Sequence, residues 1–193
     1  MKLGIVGKKV GMTQVFDENG NIIGPQRSGT NTNGTGTGGS GTTTVGHGLG
    51  VAPKMVITKR RNTTGSWSVY QTSLTSTSHY LELNSTAAQQ TYGSTFISPN
   101  STTLTIASDS SLLNASGSTY VAYCFAEIAG FSKFGSYTGN GSTDGPFIYT
   151  GFRPKYIMIK QTSASGNDWT VWDAVRNPYN ITNLVLYPNS SSV

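Results

Sequence analysis

Gly50-Val51-Ala52-Pro53-Lys54-Met55-Val56-Ile57-Thr58-Lys59 recurs further along the chain as Gly151-Phe152-Arg153-Pro154-Lys155-Tyr156-Ile157-Met158-Ile159-Lys160. After each stretch comes a polar turn and then a tryptophan strand: Gly65-Ser66-Trp67-Ser68-Val69-Tyr70 in the first copy, Gly166-Asn167-Asp168-Trp169-Thr170-Val171-Trp172 in the second. Gly50 and Gly151 are 101 positions apart and Trp67 and Trp169 are 102 apart, so the second turn carries one inserted residue. Gly, Pro, Lys, Lys, Gly, Trp and Val return in the same order, which marks an internal repeat. Each copy reads as a β-hairpin. Proline opens the first strand, where a missing N–H is tolerated. Met55-Val56-Ile57 and Tyr156-Ile157-Met158-Ile159 are apolar at consecutive positions, as strands buried on both faces are. The return strands alternate, which sets Trp67 with Val69 on one face and Ser68 with Tyr70 on the other.

From these hairpins the first copy continues through Tyr80-Leu81-Glu82-Leu83, Thr103-Leu104-Thr105-Ile106 and the run Tyr120 to Ile128. Regular strand spacing with no helical period between strands predicts an all-β fold, a β-sandwich unit. The second copy reaches Leu184-Val185-Leu186 and Pro188-Asn189-Ser190, which answer Leu81-Glu82-Leu83-Asn84-Ser85. It carries no later counterpart of the Leu104 strand or of the Tyr120–Ile128 strand. The body is therefore expected to be one complete β unit over 47–130 and a truncated second β unit over 131–193. Three strands seldom hold a fold without a covering layer. The half unit then needs docking on the first, a strand from a neighbouring subunit, or partial disorder, and the neighbour is the expected solution.

Ahead of the body the composition changes twice. Residues 1–24 read as a small hairpin segment: Leu3-Gly4-Ile5-Val6 as one strand, Thr13-Gln14-Val15-Phe16 as a second, and Ile22-Ile23 returning after a turn at Asn19-Gly20. Residues 25–46 are rich in Gly, Ser and Thr, lack apolar residues through most of their length, and are expected to be a flexible linker.

The 193 residues carry only 11% charged side chains and 10% aromatics, a balance that suits polar loops on an all-β frame. The net charge of +5 is scattered, with Lys59-Arg60-Arg61 the one basic triplet, so a nucleic-acid surface is not expected. No apolar run is long enough to span a membrane. The start has no secretory core, because Lys8 and Lys9 interrupt it, and synthesis in the cytoplasm is expected. The eight Asn-X-Ser/Thr triplets are what a chain so rich in these residues produces by chance.

The search for chemistry finds no catalytic constellation. Cys124 lies alone in an apolar run, which excludes an internal disulfide and reads as a buried thiol. His47 and His79 have no partner at metal-ligand spacing, and no metal or cofactor is expected. His79 lacks an orienting acid, and Glu127, which closes an apolar strand, reads as a strand-end carboxylate with a lysine or backbone partner. The chain is thus expected to be no enzyme. Binding has a candidate: by alternation Tyr70 and Trp172 point away from the Trp67/Trp169 face, and with Asp173 they form a candidate carbohydrate-binding set. The competing reading is that a second sheet covers them.

Gly48-Leu49-Gly50-Val51-Ala52-Pro53-Lys54-Met55, Leu83-Asn84-Ser85-Thr86-Ala87-Ala88 and the run Asn114 to Glu127 carry a resemblance that covers residues 47–190. So do Gly130-Phe131-Ser132-Lys133-Phe134-Gly135-Ser136-Tyr137-Thr138-Gly139-Asn140-Gly141, Phe152-Arg153-Pro154-Lys155-Tyr156-Ile157 and Arg176-Asn177-Pro178-Tyr179-Asn180. The body resembles a repeat of virion and tail-fibre-like proteins of marine and other environmental bacteriophages. The resemblance implies lectin-like β-sandwich units, a non-enzymatic fibre, decoration or tail-appendage role, location in the virion, and other virion subunits as partners in a homo-oligomer. A carbohydrate-binding adhesin for host surface glycans is the alternative. Gly7-Lys8-Lys9-Val10-Gly11-Met12-Thr13-Gln14-Val15-Phe16 is similar instead to the opening of the third protein of the bacterial large ribosomal subunit. That resemblance spans residues 1–24 and implies, as a third reading, an RNA-binding ribosomal fragment.

Overall fold

The computed structural model describes residues 2–7, 15–16, 22–23, 26–30, 42–107, 111–115, 118–178 and 183–191, with side chains from residue 44 onward. The described chain is all-β and contains no helix. Its strands are β1 (Lys2–Gly7), β2 (Val15–Phe16), β3 (Ile22–Ile23), β4 (Gln26–Thr30), β5 (Thr42–Gly46), β6 (Met55–Arg60), β7 (Trp67–Gln71) and β8 (His79–Glu82). They continue with β9 (Gln90–Thr91), β10 (Ile97–Pro99), β11 (Thr103–Ala107), β12 (Thr119–Phe125), β13 (Ser132–Tyr137), β14 (Tyr156–Gln161) and β15 (Thr170–Asp173). Three sheets hold most of them: β4-β12-β6-β7-β8-β9, β13-β1-β14-β15 and β10-β11-β5. Among the described residues β2 and β3 pair with each other, Val15 opposite Ile23 and Phe16 opposite Ile22.

The consecutive apolar residues of β6 and β7 serve two cores, one on each face of the six-stranded sheet. Pleating sends Met55, Ile57, Val69 and Leu81 to one side, where they meet Phe134, Tyr156, Met158, Trp169 and Val171 of the four-stranded sheet. Val56, Tyr70 and Cys124 go to the other side and meet Phe96, Ile97, Leu104 and Ile106 of the three-stranded sheet and its approach. The six-stranded sheet is therefore the middle layer.

The repeat recurs bond for bond. Trp67 N–H donates to Asn84 Oδ1 at 2.8 Å, and Trp169 N–H donates to Asn189 Oδ1 at 2.8 Å. Thr72 N–H reaches the Lys54 carbonyl at 3.0 Å, as Ala174 N–H reaches that of Lys155 at 2.9 Å. Val69 pairs with Leu81, and Val171 forms the matching bridge with Leu186. Gly50 and Gly151 both take positive φ, 74° and 81°, where a side chain would be strained. The inner faces of the two copies pack against each other.

The half unit is completed from within the chain. β1 lies between β13 and β14 and is paired with both over all six residues. In the first copy β12 holds the same place beside β6: Tyr120 stands opposite Arg60 and Phe125 opposite Met55. In the second, Lys2 stands opposite Gln161 and Gly7 opposite Tyr156, the repeat counterparts of Arg60 and Met55. The strand expected to be missing is thus supplied by the amino-terminal segment. The stretch read as a linker contributes β4 to the edge of the middle sheet and β5 to the three-stranded sheet. The turn around Asn19-Gly20, Lys8-Lys9 and the linker interior at 31–41 lie outside the described residues.

Docking of the two copies uses polar groups as well as the core. Trp169 is 1% exposed, and its Nε1–H donates to the Glu82 carbonyl of the first copy at 2.9 Å. Lys160 is fully buried; its Nζ donates to the carbonyls of Asn167 (2.9 Å), Gln161 (3.1 Å) and Thr86 (3.2 Å). Burial lowers the pKa of this ammonium, and the Asp168 carboxylate opposes the shift. Its counterpart Lys59 makes the same bond to its own turn, at 2.6 Å to the Gly65 carbonyl, but in solvent. Trp67, which alternation places on the same inner face as Trp169, is only half-buried; it stacks on Tyr123 with ring centroids 6.3 Å apart. The two tryptophans share a face, but only the second is inserted under the other copy. Replacing Trp169 by Ala is therefore expected to cost about 3–5 kcal/mol in urea unfolding, and Trp67→Ala about 1–2 kcal/mol. Lys160→Met, which leaves three inward carbonyls without that donor, is expected to cost about 2–3 kcal/mol, against less than about 1 kcal/mol for Lys59→Met.

Candidate functional site

The two copies differ in what lies on their outer faces. In the first, Val56, Thr58 and Tyr70 are 0%, 5% and 5% exposed, because the three-stranded sheet and the Phe96 segment cover them. Their repeat counterparts in the second copy are Ile157, Ile159 and Trp172, and all three are only half-buried. Among the described residues no β-layer covers them.

A groove of about 550 Å³ follows this outer face. Ile157 and Ile159 of β14, Tyr137 of β13 and the segment Phe147 to Phe152 form much of its wall. Gly135 lies there too, and it pairs with Gly4 of β1, so at that level two adjacent strands carry no side chain. The segment crossing the groove is itself poorly covered: Phe147 is 91% exposed, Tyr149 78% and Ile148 44%. Three adjacent apolar side chains in solvent are uncommon on a protein surface that has no partner. Ser142-Thr143-Asp144-Gly145 turns the chain before this segment and Gly151 bends it after, which leaves Pro146-Phe147-Ile148-Tyr149 outside any strand.

A smaller pocket of about 230 Å³ adjoins it, lined by Arg153, Lys155, Tyr156, Trp172, Asp173 and Asn177 among others. Two of the three residues singled out from sequence meet here, Trp172 and Asp173. The third does not: Tyr70 packs in the second core at 5% exposure and offers no ring face to a ligand. It points away from the Trp67 side as alternation requires, but the covering sheet buries it. Asp173 has a structural task. Its carboxylate accepts the backbone N–H groups of Val175 (3.0 Å) and Arg176 (2.9 Å) and pairs with Arg176 Nε at 2.7 Å. The N–H and guanidinium of Arg176, with the Val175 N–H, hold this carboxyl down to about 2. The counterpart Gln71 does the same work uncharged, its Oε1 accepting the Ser73 N–H. Burial, followed by the nearby Asp173 charge, raises the Tyr156 hydroxyl above its ordinary value.

The other polar groups considered from sequence are occupied locally. His47 is buried, its Nε2 2.9 Å from the Asn100 carbonyl, while its Nδ1 accepts the Leu49 N–H. His79 Nδ1 meets Ser76 Oγ at 2.8 Å, and its Nε2 faces the Thr91 hydroxyl at 3.3 Å, where a triad would place the reacting group. Glu127 pairs with Lys133 at 2.9 Å and accepts the Phe134 N–H; burial opposes ionisation, but these partners lower its pKa overall. Burial pushes the Cys124 thiol up to about 11. Among the described residues no three His, Cys, Asp or Glu side chains cluster to hold a metal ion.

The signal for Lys160 was its recurrence at the place of Lys59, and the signal for the groove was the apolar run at 146–149, which belongs to neither repeat hairpin. Residues 16–193 match the family described as a domain of unknown function, DUF7483, so the chain belongs to that family. The match begins after β1. Comparison with curated proteins and with solved structures gives no match. Because the Asp173 carboxyl sits below its ordinary 3.8, its contribution to stability is complete above that pH and is lost as pH falls through about 2. Asp173→Asn is expected to flatten that acid limb in urea midpoints measured across this range, relative to the parent chain.

Proposed function

We propose that the chain is a non-enzymatic structural component of a phage virion, a fibre, decoration or tail-appendage subunit, that packs against neighbouring subunits through the outer face of its β13-β1-β14-β15 sheet. The single observation that carries this reading is the uncovered apolar face: Ile157, Ile159 and Trp172 are half-buried where their counterparts are sealed, and Phe147 and Tyr149 stand in solvent beside them. In the first copy the equivalent face takes an apolar β-layer built around Leu104 and Ile106. A neighbouring subunit presenting apolar strands supplies the same chemistry to the second. Exposed aromatics beside a groove are the side chains that dominate protein interfaces once desolvated. The resemblance of residues 47–190 to virion repeats supports assembly as the purpose of that face. Sedimentation and negative-stain imaging test it: the chain is expected to form regular oligomers or fibres. The double variant Phe147→Ser, Tyr149→Ser should need at least about tenfold more protein to assemble, a loss of about 1.4 kcal/mol per subunit contact, with its own melting unchanged. A chain that stays monomeric at every concentration overturns the reading.

The smaller pocket favours a second reading, a carbohydrate-binding adhesin for host surface glycans. Trp172 there borders Arg153, Lys155 and Asn177, an aromatic ring among polar side chains, which is the pairing a sugar's apolar face and hydroxyls require. Binding on a glycan array that Trp172→Ala reduces at least about tenfold, with folding retained, selects this reading; unchanged binding in the variant removes it.

A further inference from the structure

The second copy is completed by a strand that the family domain does not contain. Its sheet has β13 and β14 two strand spacings apart, about 9.5 Å, and the place between them is filled by β1. The matched domain, residues 16–193, holds both walls of that slot but not the strand that occupies it. In the first copy the same place is taken by β12, from inside the matched domain and in the equivalent register.

From this we infer that the slot between β13 and β14 is a strand acceptor that takes the Lys2–Gly7 strand of a second copy of this chain, linking copies by strand exchange. The recognition is carried by backbone. β1 runs antiparallel to both neighbours, with Lys2 to Gly7 facing Tyr137 to Ser132 on one side and Gln161 to Tyr156 on the other. A ladder of this kind reads strand direction and register, and is the same whether the strand comes from its own chain or from another. Among the described residues, nothing in the pairing ties β1 to the strands next to it in sequence. β2 and β3 pair with each other, β4 pairs with β12, and the two partners of β1 lie in the second half of the chain. An empty slot leaves two facing edges of unpaired N–H and C=O groups, which is the arrangement that recruits strands from other molecules. Exchange of an identical element gives each copy the contacts it makes alone, so concentration decides between the closed and the exchanged forms. A copy that gives its β1 to one neighbour and accepts one from another becomes a link in a chain.

This inference deepens the assembly reading and rests on it, and the test separates the two. Val6 and Lys133 are paired across β1 and β13, and Cα atoms so paired lie about 4.5–5.5 Å apart, within reach of a disulfide. In a Cys124→Ala background, chains carrying only Val6→Cys are mixed with chains carrying only Lys133→Cys. They are unfolded in urea, refolded across a dilution series and oxidised. The expected result is a disulfide-linked heterodimer whose yield rises with protein concentration, while the mismatched mixture of Val6→Cys with Tyr137→Cys chains gives at least about tenfold less. The double variant Val6→Cys, Lys133→Cys reports whether the pair can close at all. If it closes within single chains at every concentration and the mixed chains never link, strand exchange is overturned. Sedimentation of the same samples reports assembly separately: oligomers without heterodimers overturn the exchange and leave the assembly reading standing. As a second measurement, a chain lacking residues 2–7 is titrated with a peptide of residues 1–10. Saturable binding that raises the melting temperature supports the acceptor slot, and absence of binding by a folded deletion chain counts against it.

Discussion

A β-strand that is apolar at consecutive positions has to be covered on both sides, and most of this structure follows from meeting that demand twice in one chain. Pleating splits Met55 and Ile57 from Val56, and Val69 from Tyr70, so neither face of the β6-β7 hairpin can be left in water. The inner face is covered by the second copy of the same hairpin, whose Met158, Trp169 and Val171 meet it. The outer face is covered by a small sheet assembled around Leu104 and Ile106. The second copy shares the first of these solutions, since packing is mutual. Among the described residues it has no version of the second.

Mutual packing alone would let the two sheets slide, because apolar surfaces lack direction. Hydrogen bonds between the copies set the alignment. Trp169 Nε1–H on the Glu82 carbonyl and Lys160 Nζ on the Thr86 carbonyl tie the second hairpin to the end of β8 and to the segment that follows it. The Gly166 N–H donates to that same Thr86 carbonyl at 3.0 Å, the Gln89 N–H to Thr162 at 3.1 Å, and the Ala88 N–H to Ser165 Oγ at 3.0 Å. A buried ammonium is tolerated only when its donors are satisfied, and the three carbonyls around Lys160 do that. The repeat itself explains where the residue came from. A lysine that clips its own turn in both copies gains one further acceptor when the turn is pressed against the other copy.

Much of this was legible in the residues. The repeat offset, the hairpins, the two-faced character of β6 and the inward alternation of Trp169 with Val171 all depend on local pattern, and local pattern survives into the fold. The failures share a different cause. At Tyr70 the binding reading stood beside the reading that a second sheet covers it, because alternation says which way a side chain points and not what waits there; a sheet made from residues far along the chain does bury it. Trp67 and Trp169 are equivalent in sequence but unequal in burial, since only one lies beneath the neighbouring copy. β5 contains Thr42-Thr43-Thr44, which has strand propensity but little apolar surface, and its place beside β11 comes from pairing and not from hydrophobic pattern. β1 was read as a strand, but its partners could not be, because backbone ladders leave no trace in side-chain identity. At the candidate site the same division holds. Trp172 and Asp173 were visible as a polar–aromatic pair, whereas the groove along Ile157 and Ile159 exists because no β-layer among the described residues covers that face.

That lacking layer and the borrowed strand are one fact seen from two sides. The first copy draws β12 and the Leu104 layer from chain that follows its own hairpins, whereas the described chain after the second hairpins reaches only the Leu186 bridge and the turn at Pro188-Asn189. The shortfall has two parts of unlike chemistry. The strand position asks for backbone donors and acceptors, which any extended segment of suitable length can supply, and an amino-terminal strand outside the matched family domain does so. The outer face asks for shape-matched apolar side chains, which are much harder to supply from a segment selected for something else. It follows that the strand position can be filled by whatever segment is tethered nearby, while the outer face waits for a surface fitted to it. Under the proposed assembly, the two halves of the deficit belong to different steps, the first closing the sheet and the second joining closed sheets together.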